Sequence, residues 1–127
     1  MVATDIRPTF NELSYKFTTK IVTMNENGAG TDTWVTMRYF GTKNVTDKFL
    51  LDDKFKDGET SIFENYGSDI GDLYAARLCM KKGSRWHVRK VSVEITRNYQ
   101  LIYKHTFSKQ KFYMKEWCTF LDICKEH

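Results

Sequence analysis

Val91, Val93 and Ile95 alternate with Ser92, Glu94 and Thr96. A period of two places three branched apolar side chains on one face of a strand, which no helix can do. The same alternation runs through Tyr15, Phe17, Thr19 and Ile21 against Lys16, Thr18 and Lys20. Residues 34–40, 49–51, 60–66 and 73–80 read as further strands, and Leu101-Ile102-Tyr103 begins another. The breaks between them are rich in Gly, Asn, Asp and Ser, at 25–30, 41–47, 52–58 and 67–72, the last a turn or one turn of helix. Residues 81–85 form a basic turn, and the apolar segment 117–123 reads as a strand or a short helix. Seven or eight short strands without a crossover helix predict an all-β chain, an antiparallel sandwich or barrel.

At 127 residues and 41% hydrophobic content the chain holds one packed domain. The strands set its limits at 15–123, with an N-terminal extension at 1–14 and a tail at 124–127. Lys and Arg number 20 against 16 Asp and Glu, a net charge of +4 that suits an acidic partner without calling for nucleic acid. Apolar runs fall well short of the ~18 residues of a spanning helix, so membrane contact is expected to be peripheral. Cys79, Cys118 and Cys124 are odd in number and lack a CxxC pair. Free thiols in a reducing compartment are the expectation, with a Cys118–Cys124 pair the alternative in a secreted chain. A cytoplasmic or peripheral-membrane location is favoured over secretion on this count. Asn44-Val45-Thr46 is a glycosylation sequon, which matters only under secretion.

The GxSxG elbow, the P-loop and HExxH are missing, and His87, His105 and His127 have no triad or metal spacing. A binding module is therefore expected rather than an enzyme. Two features bear on what it binds. Asp32 follows Gly28-Ala29-Gly30-Thr31, and Asp52, Asp53 and Asp57 lie in the next long loop. Carboxylates and carbonyls from two loops suit calcium, although Asp and Gly are also ordinary turn residues. Lys81, Lys82, Arg85, His87, Arg89 and Lys90 form a basic stretch around Trp86. Strict alternation puts Arg85, His87 and Arg89 on one face and Trp86, Val88 and Lys90 on the other. Such a stripe meets anionic headgroups or an acidic protein, or is a solvated face; Trp86 is an interfacial anchor or a core residue.

The order of these pieces resembles the PLAT domain, the lipoxygenase-homology β-sandwich found also in polycystins, pancreatic-type lipases and bacterial alpha-toxin. The resemblance covers about residues 15 to 121. It begins at Tyr15-Lys16-Phe17-Thr18-Thr19-Lys20-Ile21-Val22-Thr23 and continues in Gly28-Ala29-Gly30-Thr31-Asp32-Thr33-Trp34-Val35, similar to the family's Gly-(Ala)-Gly-Thr-Asp-Ala-x-Val. Asp53-Lys54-Phe55-Lys56-Asp57-Gly58, Ile70-Gly71-Asp72-Leu73 and Trp86-His87-Val88-Arg89-Lys90-Val91-Ser92-Val93 resemble its later motifs in order, and 112–117 suits the closing strand.

The resemblance implies an eight-stranded antiparallel sandwich of two four-stranded sheets. It also implies a non-catalytic targeting role, toward an anionic phospholipid surface or a partner protein. Several family members bind calcium in the loops at one end; carried over, Gly30, Thr31, Asp32 and Asp53 would be its ligands, and Asp57 of the same loop joins them as a further candidate. From the basic stretch itself, Lys81, Lys82, Arg85, Trp86, Arg89 and Lys90 are the residues expected to meet lipid or anion. Lys54, Lys56, Arg89 and the Ser84-Arg85 pair depart from the family pattern toward positive charge. That moves weight from calcium toward direct contact with anions.

Overall fold

The computed structural model describes residues 15–51, 54–81, 85–107, 112–114 (backbone only) and 118–123. The strands are β1 (Tyr15–Thr23), β2 (Val35–Gly41), β3 (Phe49–Leu51), β4 (Thr60–Gly67), β5 (Leu73–Met80), β6 (Trp86–Arg97), β7 (Gln100–Phe107), β8 (Phe112–Met114) and β9 (Cys118–Asp122). One sheet has the order β4-β1-β6-β7 and the other β3-β2-β5-β9, with every pair antiparallel. β8 pairs with Trp86–Val88 of β6, beyond the point where β7 stops at Val91. β7 and β8 thus follow one another along one edge, and each sheet is four strands wide. This is the expected all-β sandwich, with the eighth strand position divided in two.

Both halves of the core follow from the alternation. β1 turns Phe17, Thr19, Ile21 and Thr23 inward, and β6 turns Val91, Val93 and Ile95 inward. β2 supplies Val35, Met37 and Tyr39, and β5 supplies Leu73, Ala76, Leu78 and Met80. The 67–72 segment is a turn rather than a helix, and it drives Ile70 into the core beside Gly41. A Cβ on Gly41 would lie 2.1 Å from the Ile70 carbonyl oxygen, so only glycine allows this approach. The 117–123 region resolves as strand β9, with Leu121 buried, and Cys124 lies outside the described residues.

The two inward threonines sit opposite the polar tips of buried aromatics. Thr23 Oγ1 accepts the Trp86 Nε1–H bond at 3.1 Å, and Thr19 Oγ1 lies 2.7 Å from the Tyr39 hydroxyl. Burial pushes the Tyr39 phenol far above its ordinary value, against a smaller opposite pull from Thr19. The stability tied to this protonated phenol is fully present below the ordinary value of 10.0 and is lost as pH rises beyond it. Urea titrations between pH 9 and 11 are expected to show a steepening loss, with Tyr39 contributing up to about 1.4 kcal/mol per pH unit, and the Tyr39→Phe variant should show a smaller loss.

The β6–β7 hairpin turns on Asn98 and Tyr99, both at positive φ (52° and 65°), with Arg97 facing Gln100. Two left-handed residues in a two-residue loop make a type I′ turn, for which Asn-Gly is the favoured pair. Tyr99 is fully exposed and holds a conformation an aromatic residue rarely takes. Tyr99→Gly is expected to raise stability by about 1 kcal/mol, read as a higher urea midpoint.

Candidate functional site

β1, β3 and β5 end, and β2, β4 and β6 begin, at one pole of the sandwich; residues 24–34 and 54–59, with Lys81 and Arg85, lie there. Backbone bonds tie them together. Thr31 and Phe55 exchange both N–H···O bonds at 2.8 Å, Gly58 N–H donates to Met24 O, and Met24 N–H donates to His87 O. The His87 N–H returns to Ala29 O at 2.9 Å. A Cβ on Gly30 would meet the Phe55 carbonyl oxygen at 2.1 Å, which explains glycine where the loops touch. Phe55 plugs into the core, its ring 4.4 Å from that of Trp86.

Of the calcium candidates, Gly30, Thr31, Asp32 and Asp57 line one open groove of about 550 Å³, and Asp53 lies outside the described residues. Asp57 is a clasp between loops: its Oδ1 accepts Gly30 N–H at 2.7 Å and its Oδ2 accepts Gly28 N–H at 3.1 Å. The Thr31 carbonyl is already engaged by Phe55. Lys54 and Lys56 line the same groove. Calcium takes six to eight oxygen ligands, and among the described residues no group of three His, Cys, Asp or Glu side chains could hold a metal. The described donors therefore do not fit a calcium shell.

The basic candidates are partly regrouped. Lys81 and Arg85 are exposed and flank the same pole; Lys82 lies outside the described residues. Trp86 is completely buried and hydrogen-bonded within the core, so it is a packing residue and not a surface anchor. The even stripe is interrupted as well. β1 pairs Val22 with Lys90 but Thr23 with Val88, so Arg89 is an extra, bulged residue. The bulge keeps Trp86 and Val88 inward and then turns Val91 inward, which takes Lys90 off the Trp86 face. His87 faces out but its Nδ1 meets Glu26 Oε1 at 2.6 Å, engaging it with the first loop. Lys54 and Lys56 join the cationic set here, because the Thr31–Phe55 bridge carries them to the pole.

The cysteines also differ from expectation. Cys79 and Cys118 face each other across β5 and β9 and form a disulfide. Neither free thiols nor a Cys118–Cys124 pair describes them.

The profile of the PLAT/LH2 domain matches residues 17–117. The chain belongs to the PLAT/LH2 family. Solved structures share the PLAT fold. A Delta413-417:GS lipoxygenase is 23% identical over 85% of this chain and 16% of its own, with a TM-score of 0.75. Coral 8R-lipoxygenase, described as undergoing calcium activation via a C2-like domain, is 24% identical over 84% of this chain and 16% of its own, at 0.72. Alpha toxin from Clostridium absonum is 14% identical over 88% of this chain and 32% of its own, at 0.65. At these identities the likeness establishes the fold. The PLAT chain spans about a sixth of the lipoxygenases and a third of the toxin. No curated protein matches it.

Proposed function

We propose that this PLAT domain is a non-catalytic targeting module that docks on an anionic phospholipid surface through the pole carrying Lys54, Lys56, Lys81 and Arg85. The observation that carries the reading is the placement of the exposed Lys54 and Lys56, which line the groove, at the same pole as the exposed Lys81 and Arg85 that flank β5 and β6. Lys54, Lys56, Lys81 and Arg85 stand at this pole beside Glu26, Asp32, Asp57 and Glu59, its loops are braced by backbone bonds, and Trp86 and Phe55 anchor them from beneath. A braced loop set presents its charges without a large ordering cost. The PLAT neighbours include a lipoxygenase described as calcium-activated; in this chain Lys54 and Lys56 stand beside Asp32, and the reading gives the anchoring to the cations rather than to a calcium bridge. Each basic group near an anionic leaflet is worth about 1 kcal/mol. Replacing Lys56, Lys81 and Arg85 with Ala should therefore weaken binding to phosphatidylserine vesicles roughly 100-fold, with an unchanged urea midpoint. Undiminished binding by the triple variant would sink the proposal.

A protein-partner reading has its own support on the outer face of the β3-β2-β5-β9 sheet. Phe40, Tyr74 and Phe120 cluster there, and the Arg77 guanidinium lies 5.8 and 5.9 Å from the Phe40 and Phe120 ring centres. Tyr74 and Phe120 are more than half exposed. Aromatics with arginine are the composition of interface hot spots. Under this reading Phe120→Ala and Arg77→Ala abolish partner capture, and vesicles are not bound at all.

A further inference from the structure

The connection from β2 to β3 holds Asn44-Val45-Thr46, the chain's one N-glycosylation sequon. It lies at the pole opposite the docking loops, where Thr42 N–H donates to Asp72 O and Lys43 N–H donates to Ile70 O. Asn44 is exposed and Thr46 is 5% exposed. The Asn44 Oδ1 accepts the Val45 N–H at 2.8 Å, which leaves Nδ2 without a hydrogen bond to the described residues. An oligosaccharide on Nδ2 would enter solvent and point away from the docking pole. The Cys79–Cys118 disulfide is an independent observation pointing the same way. Structural disulfides form in oxidising compartments, and the secretory pathway is where such sequons are modified.

We infer that Asn44 is an N-glycan acceptor. In the transfer, Nδ2 bonds to the anomeric carbon of a lipid-pyrophosphate-linked oligosaccharide. The anomeric C–O bond breaks, the pyrophosphate leaves with the bonding electrons, and one Nδ2 proton passes to a carboxylate of the transferring enzyme. The folded loop is not the acceptor conformation. Thr46 Oγ1 accepts the Tyr39 N–H at 3.0 Å and donates to Asp47 O at 2.8 Å, so the hydroxyl is committed inside the protein. Transfer therefore precedes the packing of this loop on β2. Folding then buries Thr46 and leaves the modified Asn44 outside, with no core contact to break.

The test is expression of the full chain behind a cleavable secretion leader in cultured animal cells. Intact mass is read on protein from the medium and from the secretory compartments, before and after peptide:N-glycosidase. The expected result is a mass excess of one oligosaccharide that the glycosidase removes, leaving an aspartate at position 44 in the released peptide. Asn44→Gln should abolish the excess with an unchanged melting midpoint, and Thr46→Ser should keep it because the sequon and the hydroxyl both remain. Unmodified Asn44 in the chain from both fractions would overturn the assignment, as would a glycan that survives Asn44→Gln.

Discussion

Replacing Trp86 with Ala is expected to cost about 3–5 kcal/mol of folding free energy, a large fraction of what a domain of this size commonly has. The side chain is fully buried, so its removal opens a cavity at the centre of the core. It also strips Thr23 Oγ1 of its donor and removes the surface on which Phe55 packs. Phe55 lies in the connection that carries Lys54 and Lys56, so the loss loosens the proposed docking pole along with the core. Urea unfolding followed by circular dichroism gives the number. Trp34→Ala is the control: Trp34 is 50% exposed, and its loss should stay within about 0.5 kcal/mol. A Trp86 variant as stable as the Trp34 variant would contradict the packing described here.

The second large effect is at the disulfide. Cys79 and Cys118 are 39 residues apart, and cross-linking a loop of that length restricts the unfolded chain enough to stabilise the fold by about 3–4 kcal/mol. The bond also fastens an exposed edge. Among the described residues β9 pairs only with β5, and the bridge joins residues directly opposite in that ladder. Without it, β9 is held by its ladder bonds and by the burial of Leu121 and the partly buried Ile123. The double variant Cys79→Ser, Cys118→Ser should lower the urea midpoint in proportion to that stabilisation. Wild-type protein treated with a dithiol should fall to the same midpoint. Equal midpoints for the oxidised, reduced and substituted chains would contradict the structural role of the bond.

The fold was largely legible because alternation is a direct consequence of strand geometry. Val91, Val93 and Ile95 face the core as their spacing requires, and so do Phe17, Thr19 and Ile21. The Trp86–Lys90 stretch was misread by one residue, because a bulge at Arg89 adds a residue that no side-chain type announces. The β6–β7 turn carries no glycine, so the usual hairpin signal is missing, and Asn98 and Tyr99 take left-handed conformations without it. The disulfide was hidden for another reason. Cys79 and Cys118 meet only because β9 lies beside β5, a pairing of distant segments that spacing does not encode.

The candidate site was legible as two motifs but not as one place. The Gly-rich loop and the basic turn are more than fifty residues apart in sequence, and the antiparallel order brings them to one pole. The lysines flanking Phe55 stand out in sequence as departures from the family pattern. In the folded chain they line the groove at that pole, because Phe55 is pinned in the core and presents its neighbours outward.

Flotation of the wild-type chain with vesicles of phosphatidylcholine alone and of phosphatidylcholine with phosphatidylserine tests the central claim most directly. Each is run with calcium and with chelator, at low and at high salt. The account predicts binding to the anionic vesicles alone, equal with calcium and with chelator, and weakening as salt screens the basic groups. Binding that needs calcium would return the pole to a metal bridge at Asp32 and Asp53, and absence of binding in every condition would contradict membrane docking.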